Sequence, residues 1–201
     1  MIKLGITGGI GSGKSVVSEI FHLHGIPVYN ADREAKNLND SSTLIREQLI
    51  FHLGEDLYVE DKLDRKKLAS LIFSDAEKLA LVNSIIHPEL ARHFSEWCRL
   101  RQHYPMVILD AALLIEAGFS RLVDKVLLVE APEELRIRRA MQRDRSTREE
   151  VKARMDSQLP ETDKRNYADY IFHNDNRHSL IQQVSLLLKN TTGTGTELLL
   201  Y

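Results

Sequence analysis

Short apolar runs alternate with segments of helical periodicity along much of the chain. Apolar runs of roughly four to eight residues predict buried strands, and apolar positions three and four apart predict amphipathic helices. The predicted strands are residues 2–7, 26–29, 106–109, 126–129 and 170–173. Helical patterns cover residues from 15 to 24, 30–38, 132–143, 147–158 and 179–189. This alternation favours an α/β fold with a mainly parallel sheet and helices on both faces.

Residues 42–100 have a different pattern. Apolar residues recur there at helical spacing only, as in Leu44, Ile45 and Leu49, and no strand-length alternation interrupts them. We therefore expect a helical insertion at 42–100 and a core made of 1–41 and 101–190. The sequence TTGTGT near the end is low in complexity, so 191–201 is expected to be a loose tail.

The strongest motif is a glycine-rich stretch between the first strand and the first helix. Residues 8–15, here called the phosphate loop, read GGIGSGKS and match GxxxxGK[ST] in full. Such a loop turns backbone N–H groups toward phosphate oxygens, with a helix N-terminus behind them. Lys14 can reach the β- and γ-phosphates and the Ser15 hydroxyl can bind Mg²⁺. The predicted nucleoside triphosphate contacts are Gly9, Gly11, Ser12, Gly13, Lys14, Ser15 and Val16.

Acidic residues follow two predicted strands, where an open parallel sheet places its ligands. Asp32 could orient an acceptor hydroxyl and take its proton, could help to hold Mg²⁺, or could simply cap the following helix. Asp110 is the expected carboxylate that holds Mg²⁺ through water, with a turn residue as the alternative. Glu116 is a weaker acidic candidate near the acceptor.

Seven arginines fall between positions 136 and 154. Arg139 and Arg143 are four residues apart and share a helix face. The break DRST after them suggests a helix–turn–helix lid at about 138–158 that closes over the triphosphate, where guanidinium groups would stabilise the moving phosphoryl group. For Arg145 and Arg148 a plain surface role is favoured.

Composition excludes several classes of protein. Lys and Arg total 27 against 29 Asp and Glu, a net charge of −2, which disfavours a dedicated nucleic-acid-binding domain. The hydrophobic fraction of 43% is that of a globular protein. Cys98 is the single cysteine and favours a reducing compartment. The longest apolar run, 111–115, is too short to span a membrane, and the chain starts without a signal-peptide pattern. We expect a cytoplasmic protein that binds neither membrane nor nucleic acid.

Several blocks together resemble one family. They are TGGIGSGKS, AD at 31–32, RKKLASLIF, NSIIHP, LDAALLIEAG, RRAMQRD, ARMDSQ and ADYIFHN, in this order over about residues 2–174. The sequence resembles the dephospho-CoA kinases. The resemblance implies a P-loop NTPase fold with an acceptor-binding insertion and a lid, ATP with Mg²⁺ as donor, and the ribose 3′-hydroxyl of dephospho-CoA as acceptor. It also implies Asp32 as base, Arg139 and Arg143 on ATP, and Arg65, His87 and Leu113 on the acceptor.

The chain departs from the family pattern at three positions. Asn30 and Ala112 stand where the family often has Asp and Pro, and Arg136 stands where Gln is common. Two other functions stay open. A kinase of the nucleoside monophosphate type would share the loop and the lid, and a GTPase-like switch would share the loop but lacks an NKxD-type motif here. No oligomeric state follows from the sequence.

Overall fold

The computed structural model describes residues 1–73 and 75–192. The chain forms two compact units, one of Met1–Tyr29 with the described chain from Arg101 onward, the other of Asn30–Leu100. The predicted tail lies outside the described residues from 193 on, and Thr191 and Thr192 belong to the last helix. Within the described ranges, no helix has both the length and the apolar character that crossing a bilayer requires.

The strands and helices follow the predicted alternation. The strands are β1 (Ile2–Thr7), β2 (Val28–Asn30), β3 (Tyr58–Val59), β4 (Lys62–Leu63), β5 (Met106–Asp110), β6 (Lys125–Glu130) and β7 (Tyr170–His173). The helices are α1 (Lys14–Leu23), α2 (Ala31–Ser41), α3 (Thr43–Leu53), α4 (Arg65–Ile72), α5 (Ala76–Arg99), α6 (Glu133–Asp144), α7 (Arg148–Asp156), α8 (Glu161–Arg165) and α9 (Leu180–Thr192). Short 3-10 helices lie at Glu55–Leu57 and Phe119–Leu122.

All five predicted strands join one sheet, in the order β2-β5-β1-β6-β7. β1 pairs in parallel with β5 and with β6, and β6 pairs in parallel with β7. The register sets Ile6 opposite Asp110 and Glu130 opposite His173, so the carboxyl ends of these strands lie along one edge. The phosphate loop leaves β1 at that same edge, where parallel sheets bind their ligands.

Both faces of the sheet are covered, as a parallel sheet requires. On one face, α1 and α9 pack Phe21 and Val184 against a cluster that includes Ile6, Ile108 and Leu127. On the other face Val107, Leu109 and Leu128 are also at most 1% exposed. A side chain at Gly5 would meet Leu114 and Val123, so this glycine allows the segment after β5 to pack closely. The predicted α/β architecture is confirmed.

The second unit is helical except for one hairpin, which corrects the prediction of helices only. β3 and β4 pair antiparallel around Glu60 and Asp61, which have positive φ values of 47° and 63°. Strands of two residues are too short to show an alternating pattern in the sequence. This unit begins at Asn30 rather than at residue 42, because α2 packs against α3, α5 and β4.

Helix α5 continues through Pro88, although proline usually interrupts a helix. Proline removes one helical hydrogen bond and strains the preceding turn. The helix nevertheless buries one side chain per turn on a single face, and this packing outweighs the local break. The buried apolar stripe is Val82, Ile86, Leu90, Phe94 and Cys98.

Helix α1 offers a direct test of the core. Phe21 is fully buried and Leu23, two residues later, is 76% exposed. We expect Phe21→Ala to lower the free energy of unfolding by about 3–5 kcal/mol, because it removes buried apolar area and leaves a cavity. Leu23→Ala, the matched control, should change it by less than about 0.5 kcal/mol. Urea unfolding measures both, and equal losses would contradict this packing.

Candidate active site

The phosphate loop has the backbone conformation that its glycines permit. Gly11 and Gly13 have φ values of 79° and 88°, in the left-handed region that side-chain-bearing residues avoid. The Ser12 N–H donates to the Gly9 carbonyl oxygen at 3.0 Å and closes the turn. The Gly13 carbonyl oxygen accepts from Val16 N–H at 2.9 Å and starts α1. The N-terminus of α1 therefore lies directly behind the loop, an arrangement that favours anions.

Lys14 and Asp110 form an ion pair at the base of the loop. The Asp110 side chain is 2% exposed and that of Lys14 is 13% exposed, so both charges are largely shielded from water. Asp110 is the last residue of β5 and not a turn residue, which removes the alternative interpretation. The parallel pairing of β5 with β1 brings its carboxylate to Lys14.

The oxygen donors at this position fit Mg²⁺. The Asp110 carboxylate and the Ser15 hydroxyl, one residue after Lys14, are hard oxygen ligands of the kind that Mg²⁺ prefers. In the part of the chain that the structure describes, no group of three or more His, Cys, Asp or Glu side chains could hold a metal ion. Mg²⁺ sites commonly use one or two protein oxygens with waters and substrate phosphates, so two donors suffice.

Helices α6 and α7 rest on the loop. The guanidinium of Arg136 occupies the space that a side chain at Gly9 would need, and its main-chain oxygen occupies the corresponding space at Gly11. Ile10 N–H donates to Gln158 Oε1 at 3.0 Å. The Ile10 side chain packs on a small cluster of Ile137, Ala140 and Val151 from the two helices. The predicted lid is thus attached to the loop at its base.

Asn174, directly after β7, holds the other side of the loop. Its Nδ2 donates to the Ser12 carbonyl oxygen at 2.8 Å and lies where a side chain at Gly13 would go. Arg139 in turn donates to the Asn174 carbonyl oxygen at 3.1 Å and to Asn176 Oδ1 at 2.8 Å. The structure therefore places Arg139 beside the loop, with its guanidinium on the segment after β7.

Three other arginines of the lid, Arg143, Arg148 and Arg154, form surface pairs. Arg143 donates to Asp144 at 2.7 Å from Nε, and its side chain is 61% exposed. Asp144 also accepts from Arg154, and these guanidinium groups hold the pKa of its carboxyl well below the usual range. Arg148 pairs with Glu134, in agreement with the favoured surface role. Val16, which the sequence predicts as a contact of the nucleoside triphosphate, is 52% exposed in the first turn of α1.

Asp32 lies in the first turn of α2 and is exposed. The capping alternative for Asp32 is wrong, because Asn30 takes that position. Asn30 Oδ1 accepts from Arg33 N–H at 2.8 Å. The positive end of the helix dipole favours a carboxylate at Asp32. Asn30, which stands where the family often has an aspartate, thus fixes the start of the helix that carries the proposed base.

The proposed acceptor contacts occupy separate places. In the second unit, Arg65 begins α4 and donates to the Lys36 carbonyl oxygen at 3.2 Å, one turn beyond Asp32. His87 is half-buried in α5, and burial lowers the pKa of its imidazole. In the first unit, Leu113 is 47% exposed in the turn after β5.

Glu116 has structural partners in the first unit. Its Oε1 lies 2.9 Å from Lys164 Nζ and accepts from Leu159 N–H at 3.1 Å. Lys164 is 1% exposed, so the carboxylate balances a buried positive charge and fastens the segment leading into α8. A role for Glu116 near the acceptor stays a prediction.

The sequence analysis did not identify Asn174 and Gln158 as neighbours of the loop. For Asn174 a signal was available, since it follows a predicted strand just as Asp110 ends one. For Gln158 there was none, because its partner Ile10 is 148 positions away and neither residue has a catalytic chemistry of its own.

Comparison with known proteins agrees with this geometry. The family model for dephospho-CoA kinase matches residues 2–179. A dephospho-CoA kinase of Porphyromonas gingivalis is 44% identical over 190 residues, which cover 94% of each chain. The crystal structure of TT1252 from Thermus thermophilus has a TM-score of 0.83 and 37% identity, covering 96% of this chain and 98% of that one. Dephospho-CoA kinase from Campylobacter jejuni has a TM-score of 0.70 and 27% identity, covering 95% and 98%. The chain belongs to the dephospho-CoA kinase family.

Proposed function

We propose that the protein transfers the γ-phosphoryl group of ATP to the ribose 3′-hydroxyl of dephospho-CoA, which gives coenzyme A and ADP. The observation that carries this proposal is the phosphate loop with its Lys14–Asp110 pair, in a chain of this family. The loop supplies the binding site for the donor ATP, and membership of the family indicates dephospho-CoA as the acceptor.

The donor half uses the loop backbone and Lys14. Backbone N–H groups of residues 9–15 surround the phosphates, and the N-terminus of α1 adds positive potential. Lys14 exchanges Asp110 for phosphate oxygens as ATP binds, which frees the Asp110 carboxylate. Asp110 and Ser15 are the residues that would hold Mg²⁺, and that ion, when bound, neutralises charge on the β- and γ-phosphates.

The acceptor half uses Asp32. The carboxylate accepts a hydrogen bond from the 3′-hydroxyl, orients its oxygen in line with the γ-phosphorus and takes the proton. A new bond forms between the 3′-oxygen and phosphorus, and the bond to the bridging oxygen of ADP breaks with its electron pair. Arg139 gives up part of its hydrogen bonds to Asn174 and Asn176 for the moving phosphoryl oxygens.

We assign the remaining acceptor contacts to Arg65, His87 and Leu113. The Arg65 guanidinium, 48% exposed, offers charge to the diphosphate of dephospho-CoA. Because burial lowers its pKa, His87 is neutral at pH 7 and can contribute a hydrogen bond but not a charge. Arg143 remains our candidate for a further ATP contact. A cytoplasmic location, inferred from the single cysteine, stays a prediction.

A panel of acceptors tests the reaction directly. With ATP and Mg²⁺ we expect ADP release only when dephospho-CoA is added, and a product heavier by one phosphate in the mass spectrum. AMP, CMP and shikimate are the matched alternatives. Phosphorylation of AMP but not of dephospho-CoA would support a nucleoside monophosphate kinase instead. Preference for GTP over ATP with no acceptor-stimulated turnover would support a nucleotide-dependent switch.

Asp32→Asn tests the assignment of the base. The amide keeps the size of the side chain but cannot take a proton, so we expect kcat to fall by about a hundredfold or more while the KM for ATP changes little. Glu47→Gln removes an exposed carboxylate from α3 in the same unit and should leave kcat unchanged. If Asp32→Asn kept full turnover under conditions where Lys14→Ala lost it, Asp32 would not be the base.

Gly13→Ala tests the dependence of ATP binding on the loop backbone. Both Gly13 and Gly25 have a positive φ, so alanine at either one costs about 1–2 kcal/mol of stability. Only at Gly13 does the new side chain also collide with Asn174, since a side chain at Gly25 meets nothing within 4 Å. We expect Gly13→Ala to weaken ATP binding by at least about tenfold and Gly25→Ala to leave it unchanged. Isothermal titration with ATP measures both affinities, and equal affinities in the two variants would refute this dependence.

A further inference from the structure

Arg136 is a buried arginine that the proposed reaction does not use. It is 9% exposed and lies in the first turn of α6, where its N–H donates to the Pro132 carbonyl oxygen at 3.0 Å. Its guanidinium and its main-chain oxygen are pressed against Gly9 and Gly11 respectively. The same residue thus contacts the phosphate loop at two points, through its side chain and through its backbone.

Glu161 holds the guanidinium from the other side. Nη2 of Arg136 lies 3.4 Å from Oε2 of Glu161, whose side chain is 23% exposed. Among the described residues, neither Arg136 Nε nor Glu161 Oε1 has a hydrogen-bond partner. A buried ion pair with incomplete hydrogen bonding contributes little or nothing to stability, because desolvation offsets the attraction. Stability therefore does not account for the pair.

The pair borders a cleft of about 270 Å³ that reaches the loop at Gly9. Gln158 lines the same cleft and accepts the hydrogen bond from Ile10 N–H. Arg136 and Gln158 therefore hold successive residues of the loop from one side, where Gly9 and Gly11 have no side chains of their own to fix them. A contact that limits backbone freedom here limits the positions of the phosphate-binding N–H groups.

We propose that Arg136 is a positioning residue: held by Glu161, its guanidinium fixes Gly9 in the conformation that binds the phosphates of ATP, while its main-chain oxygen packs on Gly11. This proposal rests on the proposed function for the identity of the nucleotide. Arg136 acts through the loop and does not touch the phosphoryl group. It fills the position where glutamine is common in the family that the sequence resembles.

The charge on Glu161 makes the ion pair with Arg136 dependent on pH. Burial raises the pKa of its carboxyl, and the attraction of Arg136 is the largest effect opposing that rise. The charged and titratable groups around Glu161 are Glu133 and Arg136 on α6, Lys152 and Asp156 on α7, Lys164 and Arg165 on α8, Glu130 on β6, and His173 and Asp175 at the end of β7.

Loss of the Arg136 charge gives a defined pH dependence. Without it the pKa of Glu161 rises further, so the protonated carboxyl is tolerated in the fold and the carboxylate is not. The loss of the guanidinium contact with Gly9 is present at every pH, and the additional cost of the unpaired carboxylate grows as the pH rises through that raised pKa. Removing both charges together removes the pH dependence.

A double-mutant cycle tests the proposal with Arg136→Gln, Glu161→Gln and the double variant. At about pH 8.5 we expect Arg136→Gln to raise the KM for ATP about tenfold, which is a usual coupling for residues in contact. The kcat should stay within about threefold of the wild-type value. At about pH 6 the KM effect should be smaller than at pH 8.5, because a larger fraction of Glu161 is then protonated. The double variant should show no such pH dependence and should keep the smaller KM increase that Arg136→Gln has at low pH, because the guanidinium that fixes Gly9 is absent from it.

Two further variants serve as controls. Arg148 on α7 and Glu134 on α6 form an exposed pair, so the cycle of Arg148→Gln and Glu134→Gln should change the KM for ATP by less than about twofold. Thermal melting shows which variants fold. If Arg136→Gln does not fold, Arg136→Lys takes its place in the test. Lysine keeps the positive charge but lacks the planar guanidinium, so we expect a smaller increase of the KM for ATP, without the pH dependence.

Two results would overturn the proposal. One is an unchanged KM for ATP in Arg136→Gln at both pH values. The other is a loss of kcat in Arg136→Gln that the added Glu161→Gln does not rescue, because such a loss indicates direct contact of Arg136 with the phosphoryl group. ATP affinity measured by titration without any acceptor gives the same cycle independently of turnover. Absence of dephospho-CoA phosphorylation by the wild type would refute the proposed function and leave this binding cycle to decide the role of Arg136.

Discussion

The backbone conformation of the phosphate loop is the constraint on which the rest of the site depends. In the proposed function the loop binds phosphates with N–H groups, so its affinity is set by backbone angles, and Gly11 and Gly13 hold angles that other residues avoid. A stretch so rich in glycine is flexible by itself. Its neighbours therefore have to hold it, and they do so at the Ser12 carbonyl oxygen, at the Ile10 N–H and at Lys14.

The parallel sheet explains where these neighbours come from. β1 lies between β5 and β6, and β7 follows β6, so the ends of four strands lie along the edge where the loop begins. Asp110 and Asn174 reach the loop from the ends of β5 and β7, and α6 reaches it through Arg136 after β6. One topological arrangement thus supplies both the ligand site and the contacts that stiffen it.

The charge distribution follows the same logic. The net charge of −2 argues against a surface coated with positive charge, yet both proposed substrates carry several negative charges. The cations that lie by the loop are Lys14, Arg136 and Arg139, and the first two are paired with Asp110 and Glu161. Pairing keeps these cations in place when no phosphate is bound, and local positive potential depends on placement instead of on the total charge.

Sequence predicted the features that are local in the chain. The five strands of the sheet, the phosphate loop and Asp110 at the end of β5 follow from runs of a few residues. The hairpin of β3 and β4 was missed because each strand has two residues. The continuation of α5 through Pro88 shows that tertiary packing can outweigh a local rule. Asn30 was seen only as a missing carboxylate, whereas its side chain caps α2.

Contacts between distant positions could not be predicted from one sequence. Asn174 and Ser12 are 162 positions apart, and nothing in either local pattern indicates that their hydrogen bond exists. The sequence set Arg136 apart only as a departure from the family pattern, and the structure places it against Gly9. In this protein the residues that contribute chemistry stand in recognisable motifs, while those that hold the loop become visible only through packing.

Amide NMR during titration with a non-hydrolysable ATP analogue and Mg²⁺ measures the binding of phosphates by this backbone most directly. The account predicts that the largest chemical-shift changes fall on the backbone N–H groups from Gly9 to Ser15. Smaller changes should appear at the Asn174 and Gln158 side-chain amides, which hold the loop. Large shifts confined to other parts of the chain, with the loop amides unmoved, would contradict it.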